Sequence, residues 1–183
     1  MPKRNLKTAF YLITLSVILL LLDSQNIYSQ TNWFKGGGDS SKYKMGIDSN
    51  TRYDKQNVMT IKSIAGEIDG FGTLMQFSGV QKYKGKKIRM TAYMKSTDVA
   101  NWAGFWLRVD QANSHDFLAL DNMEDRPIKG TNDWKKCELV LNVAPNASNL
   151  AFGALIYGTG QIWFTNVNFE IVDSSVPTTG NLK

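Results

Sequence analysis

The stretch Trp102 to Asp110, WAGFWLRVD, constrains this chain more than any other, because a β-strand sorts its side chains by parity. Successive side chains on a strand point to opposite faces. Ala103, Phe105, Leu107 and Val109 therefore form one apolar face that asks for a core. Trp102, Trp106, Arg108 and Asp110 form the other, with Gly104 between the two tryptophans. Two indoles, a guanidinium and a carboxylate are the equipment for stacking on, and hydrogen-bonding to, a flat polar ligand such as a sugar. The tryptophan Cα atoms would lie about 13 Å apart, enough to seat two sugar rings or to flank one. The competing reading is a central strand covered on both faces, with the indoles under a loop such as residues 121–130 (DNMEDRPIKG).

The rest of the chain speaks the same language. Ile88, Met90, Ala92 and Met94 alternate with Arg89, Thr91, Tyr93 and Lys95, the first set inward and the second outward. Residues 58–64, 72–76, 117–121, 134–143, 150–157 and 161–172 are further strand candidates, and no long segment has helical periodicity. In 134–143, Cys137 shares parity with Leu139, Leu141 and Val143, which makes it a buried apolar filler. Trp134 and Trp163 read as walls of the core edges. Pro145 marks one turn, and Gly158 and Gly160 supply positive φ to another. About eight strands at this spacing predict an all-β fold, a two-sheet antiparallel β-sandwich of jelly-roll type over residues 30–173. Residues 36–50 are polar and Gly-rich, so either a mobile loop or a strand pair of weak signal. Residues 174–183 read as a flexible tail.

The N-terminus reads as an export signal. Lys3, Arg4 and Lys7 precede an apolar run over residues 9–22, too short for the ~18–20 residues of a membrane span, and Ser29 offers a small residue for cleavage. The alternative is an uncleaved anchor, the one route by which this chain would meet a membrane. Removing residues 1–29 leaves 154 residues with a net charge of +3, enough for one cored domain. That balance gives no basis for nucleic-acid binding. The YKGKK cluster at 83–87 reads as a solvated turn. With one cysteine there is no intrachain disulfide, and His115, the only histidine, falls in a polar loop.

Over residues 83–172 the order of features resembles carbohydrate-binding modules with a galactose-binding-like jelly roll. Tyr83-Lys84-Gly85 leads into an alternating strand, followed by the Trp-bearing strand, and Gly130 to Trp134 opens a strand ending at Val143-Ala144-Pro145. Residues 160–169 (GQIWFTNVNF) close the pattern. The resemblance implies a sandwich and a glycan ligand. Many such modules hold a structural calcium near acidic residues of the last strand, where this chain has Thr165-Asn166, so no metal or cofactor is expected. Asp121 to Ile128 and Gly70 to Gln76 (GFGTLMQ) also resemble, more closely in wording, a bacterial domain found alone or attached to transcription-regulator and membrane-sensor proteins.

Catalytic templates find little here. One histidine excludes a His-rich zinc site, and no phosphate-cradling Gly-rich loop follows a strand and opens a helix. Asp110, Asp121, Glu124 and Asp125 are candidate glycosidase carboxylates, but nothing singles out an acid and base pair. Three readings are ordered accordingly. The first is an exported, non-catalytic module binding a glycan or other small polar ligand through Trp102, Trp106, Arg108 and Asp110, rimmed by Asp121, Asn122, Asp125 and Arg126. The second is a sensory or protein-interaction domain using the same face on a protein partner. The third is a glycoside-directed enzyme. For the loop at 121–129, an internal Asp–Arg pair competes with the role of a ligand rim.

Overall fold

The computed structural model describes residues 32–64, 66–114 and 116–182. The expected export signal and His115 lie outside the described residues. Among the described residues, ten strands fold into an antiparallel β-sandwich: β1 (Phe34–Gly36), β2 (Tyr43–Tyr53), β3 (Gln56–Ser63), β4 (Phe71–Gly79), β5 (Lys86–Gln111), β6 (Phe117–Asp121), β7 (Ile128–Val143), β8 (Ala147–Tyr157), β9 (Gln161–Val172) and β10 (Asn181–Leu182).

One strand builds both layers. The first half of β5 pairs with β7 on one side and β9 on the other. Its second half pairs with β6 and β8. The hydrogen-bonded network is therefore continuous, yet it forms two layers, β1-β4-β8-β5-β6-β10 and β2-β3-β9-β5-β7. The crossing is local chemistry. Asp98 takes a positive φ of 51°, and the β5–β7 register slips around it. An extra residue in one strand bends it and reverses the parity beyond. Burial follows: Ile88, Met90, Ala92, Met94 and Ser96 are buried before the bulge, and Val99, Ala103, Phe105, Leu107 and Val109 after it. The turn between β8 and β9 seats on the bulge. Gly160 has a φ of 127° there, and a Cβ would fall 2.6 Å from the Asp98 carbonyl oxygen, so only glycine fits.

The two inner faces meet through aromatic edges. Phe105 of one layer contacts Phe164 of the other at 5.9 Å between ring centres, and Phe152 contacts Phe169 at 4.9 Å. Trp33 closes that end at 5.0 Å from Phe164. Burying such rings in edge-to-face contact dominates the energetics of a core this size. Cys137 is buried with Leu139, Leu141 and Val143, as parity predicts, and burial pushes its thiol pKa up to about 11.

One open alternative is resolved and two expectations need correction. The segment 36–50 is ordered: β1 pairs with β4, β2 pairs with β3, and Tyr43 donates its hydroxyl to the Gly158 carbonyl at 2.7 Å. The weak-signal strand reading holds, and the signal is weak because a hairpin edge needs few apolar residues. The tail is also docked. Lys87 Nζ donates to the carbonyls of Ser174 and Val176, Thr179 N–H donates to Val140 O at 2.9 Å, and β10 adds to β6. Trp134 and Trp163 are not core walls but stand half-exposed on the outer face of the second layer, opposite in parity to buried Cys137 and to Ile162 and Phe164.

Candidate functional site

The eight residues singled out from sequence fall into two groups. Trp102, Trp106, Arg108 and Asp110 do share the outer face of the first layer, half-buried, while their strand neighbours are buried inward. Register extends this face in rows: Trp102 beside Tyr157 and Phe71, Trp106 beside Gly153, Met75 and Phe34, Arg108 beside Ala151 and Phe77. Gly153 has a structural task here. A Cβ on it would come within 2.3 Å of Leu74 O and 2.9 Å of Trp106 Nε1, so the indole lies across bare backbone. It ends in a hydrogen bond from Nε1 to Thr73 Oγ1 at 2.9 Å. Arg108 Nε donates to Asp110 Oδ1 at 2.6 Å, and the two charges cancel.

The other four belong to the loop between β6 and β7. Asp121, whose side chain is 2% exposed, accepts from Arg126 Nη2 at 2.6 Å, from the Met123 N–H at 2.9 Å, and from the Thr179 hydroxyl. Its carboxylate ties loop, tail and strand edge together, an internal Asp–Arg pair. Arg126 Nη1 also reaches Asp125, and Asn122 accepts from the Glu124 N–H. The loop does border the tryptophans, but by filling the space between them. Met123, at a φ of 59°, places its Cβ 3.1 Å from where a Cβ of Gly104 would stand, and its sulfur accepts from the Phe105 N–H. The two indoles are therefore separated by a buried methionine and do not make one continuous platform.

The outer face of the second layer holds a different arrangement. The β3–β9 ladder covers only Met59 to Lys62. Beyond it the β2–β3 hairpin bulges between Asp48 and Arg52 and turns through Asp54 and Lys55, both at positive φ. Its Tyr53 reaches β5 and β7: the ring centre lies 4.9 Å from Tyr93 and 5.0 Å from Trp134. On the next strand Trp163 donates Nε1 to Asp48 Oδ2 at 2.6 Å, and Asp48 also accepts from Asn50 N–H and Thr51 Oγ1. Four half-exposed aromatic side chains thus share a face with many polar groups.

That face is charged and internally paired. Arg89 contacts Glu170 at 2.9 Å and Glu138 at 3.5 Å, Lys136 contacts Glu138 at 2.6 Å, and Lys95 contacts Asp133 at 3.1 Å. Three of its carboxyls are held below their ordinary range: Asp48 by the Trp163 indole, Asp133 by the Trp134 N–H and then Lys95, Glu138 by Lys136. Hydrogen bonds and cations that favour the charged form do this. A general acid needs the reverse. Among the described residues no three His, Cys, Asp or Glu side chains gather where a metal ion could be held. Sequence reasoning missed Tyr53, Tyr93, Trp134 and Trp163 as a set, although the outward parity of Tyr93 was plain. The parity of Trp134 against Cys137, and of Trp163 against its neighbours, would have added two more.

No family model matches the chain. It is similar to the uncharacterized HTH-type transcriptional regulator YbfP of Bacillus subtilis (strain 168), 37% identical over 148 residues that cover 80% of this chain and 50% of the relative. The chain thus spans about half the length of that curated relative. Among solved structures, the enzymatically active domain of bacteriophage CBA120 tailspike protein 4 superposes with a TM-score of 0.59 at 13% identity, covering 78% of this chain and 20% of that one. The CBM22-1 xylan-binding domain of Paenibacillus barcinonensis Xyn10C has a TM-score of 0.54 at 13% identity, covering 79% and 88%. A family 16 carbohydrate binding module has a TM-score of 0.54 at 10% identity, covering 73% and 92%. At these identities the likeness concerns the fold: this chain is an all-β sandwich of the architecture found in those carbohydrate-binding modules.

Proposed function

We propose that this chain is an exported, non-catalytic glycan-binding module, and that its glycan lies on the outer face of the β2-β3-β9-β5-β7 layer. The observation that carries this is the cluster of Tyr53, Tyr93 and Trp134, half-exposed and within 5.0 Å of one another between ring centres where they touch. Sugar rings present C–H faces that stack on aromatic rings and hydroxyls that need donors and acceptors beside them. Asp48, Thr91 and Asn168 supply the latter on adjoining strands, and Asp48 holds the Trp163 ring beside them. The shared architecture with xylan-binding and other carbohydrate-binding modules supports the reading, and the lowered carboxyl pKa values on the face support a role without catalysis. Export rests on the basic start, short apolar run and small residue at Ser29.

The test is a panel of soluble polysaccharides titrated against the full chain while its tryptophan fluorescence is followed. Tyr93→Ala and Trp134→Ala should each weaken binding at least tenfold and leave the fold intact by circular dichroism. Binding that survives both substitutions would remove this face as the site. A second reading, a protein-interaction or sensory domain, is favoured by the longer regulator that the chain resembles over half its length, and by the first-layer face. Phe34, Phe71 and Phe77 are 57%, 39% and 52% exposed there, beside Trp102 and Trp106. In that reading the first-layer face docks a protein, with Arg108 and Asp110 at its margin.

A further inference from the structure

Beside the aromatic face, at the outer edge of β7, lies a cavity of about 570 Å³ whose other wall is the loop between β6 and β7. Its volume is that of small-ligand sites, ~300–1,000 Å³. Its walls are basic. Arg126, Lys129, Lys135 and Lys136 line it against one carboxylate, Glu138. Arg126 is neutralised by Asp121 and Asp125, and Lys136 by Glu138. Lys129 and Lys135 have no carboxylate partner among the described residues. Lys135 Nζ instead donates to Asn132 Oδ1 at 2.6 Å, and Asn132 is itself fixed by donating to Lys129 O and Ser96 Oγ. The Lys135 ammonium is thus positioned by a neutral amide and keeps its charge for something else.

The backbone contributes as well. Residues alternate edges along a strand, so Lys136 and Glu138 share with Val140 the edge facing away from β5. Val140 uses that edge on Thr179, and Glu138 O accepts from Arg126. Lys136 belongs to the same edge and lines the cavity. The cavity also adjoins the aromatic face, because Lys136 stands opposite Tyr93 and Glu138 opposite Thr91 in the β5–β7 register. A glycan stacked on Tyr93 and Trp134 would carry a substituent over the β7 edge and into it.

We infer that this cavity receives an anionic substituent, a carboxylate or sulfate, of the glycan bound on the aromatic face, with Lys129 and Lys135 as the cations that read it. The inference rests on the proposed glycan binding. Two uncompensated ammonium groups in a recess attract an anion by charge-assisted hydrogen bonds, and neutral hydroxyls gain much less. The experiment is calorimetric titration of the full chain at low salt with three probes: neutral linear xylan, a polyuronate such as polygalacturonate, and a sulfated galactan. The expected result is that one anionic polymer binds at least tenfold more tightly than the neutral one, and which of the two does so identifies carboxylate or sulfate.

The Lys129→Ala/Lys135→Ala double variant should lose that preference while its affinity for any neutral polymer stays unchanged. A Lys82→Ala/Lys86→Ala control, which removes two exposed lysines on another part of the surface, should keep it. Neutral binding without anionic preference, or a preference that survives the double variant or falls equally in the control, overturns the cavity assignment and leaves the glycan module standing. Failure of all three probes, extended to the wider panel, overturns both.

Discussion

The two outer faces of this sandwich both present aromatic rings, but the rings sit in opposite company. On the first layer Phe34, Phe71 and Phe77 are more than a third exposed, and Phe34 packs against Phe77 at 6.2 Å between ring centres. Arg108 and Asp110 there neutralise each other. On the second layer Tyr53, Tyr93, Trp134 and Trp163 are each only half-exposed, and Asp48, Lys95, Arg89, Lys136 and Glu138 stand among them. Bare apolar area attracts another apolar surface, whereas a polyhydroxyl ligand needs a ring face and fixed polar groups at once. Counting tryptophans cannot separate the faces, since Trp102 and Trp106 stand on the first and Trp134 and Trp163 on the second. Counting rings with polar neighbours picks the second.

The largest expected effect lies at the seam that the faces share. Asp121→Ala should destabilise the chain by about 3 kcal/mol, because it leaves Arg126 only its exposed partner Asp125 and frees the Met123 N–H and Thr179. Chemical denaturation measures it, and glycan affinity of the folded fraction should not change. A loss of affinity without loss of stability would return Asp121 to the ligand.

The next comparison sets one ring of each face against the other. Trp106→Ala should cost about 2 kcal/mol, less than for a fully buried indole, since this one lies across Gly153 and bonds Thr73. It should leave glycan binding intact. Tyr93→Ala should show the reverse, with binding lost and a stability cost of about 1 kcal/mol. If Trp106→Ala abolishes binding and Tyr93→Ala does not, the faces must be exchanged in the assignment.

A smaller effect distinguishes the faces by pH. Asp48 has its folded pKa lowered by the Trp163 indole, so its contribution is complete above the unfolded carboxyl value of about 3.9 and is lost as pH falls through the lower folded value. Urea midpoints measured at neutral pH and near pH 3 should differ less in Asp48→Asn, which keeps an acceptor for the indole but does not titrate. An unchanged pH dependence would mean that Asp48 does not hold Trp163. The smallest effect is at the bare face. Phe34→Ser/Phe77→Ser should shift stability by about 0.5 kcal/mol or less, as exposed substitutions do. Under the second reading it should abolish capture of the protein that docks there, which a pull-down with the wild-type and variant chains compares directly.

Much of the fold is written locally. Ala103, Phe105, Leu107 and Val109, and separately Ile88, Met90, Ala92 and Met94, are inward as their alternation requires, and Cys137 is buried with its own parity set. The run Phe117–Asp121 and the run Gln161–Val172 coincide with β6 and β9. Backbone geometry enforces this, since neighbouring side chains on a strand cannot share a face. The bulge at Asp98, which joins two apparent strands into β5, left only a break in alternation around Ser96 to Ala103 as its trace.

The site was less legible. Sequence alone determined that Trp102 and Trp106 share a side and that Tyr93 points away from the core. It could not say which outward side would be free, because that depends on segments distant in the chain. Met123 fills the space over Gly104 only because β6 and β7 flank β5 on the same side, and Tyr53 reaches Trp134 only because the β2–β3 hairpin leaves its ladder beyond Met59. Parity is a property of one strand. Exposure is a property of whatever packs against it, and here the tertiary structure decided that through loops whose polar sequences carry no periodic signal.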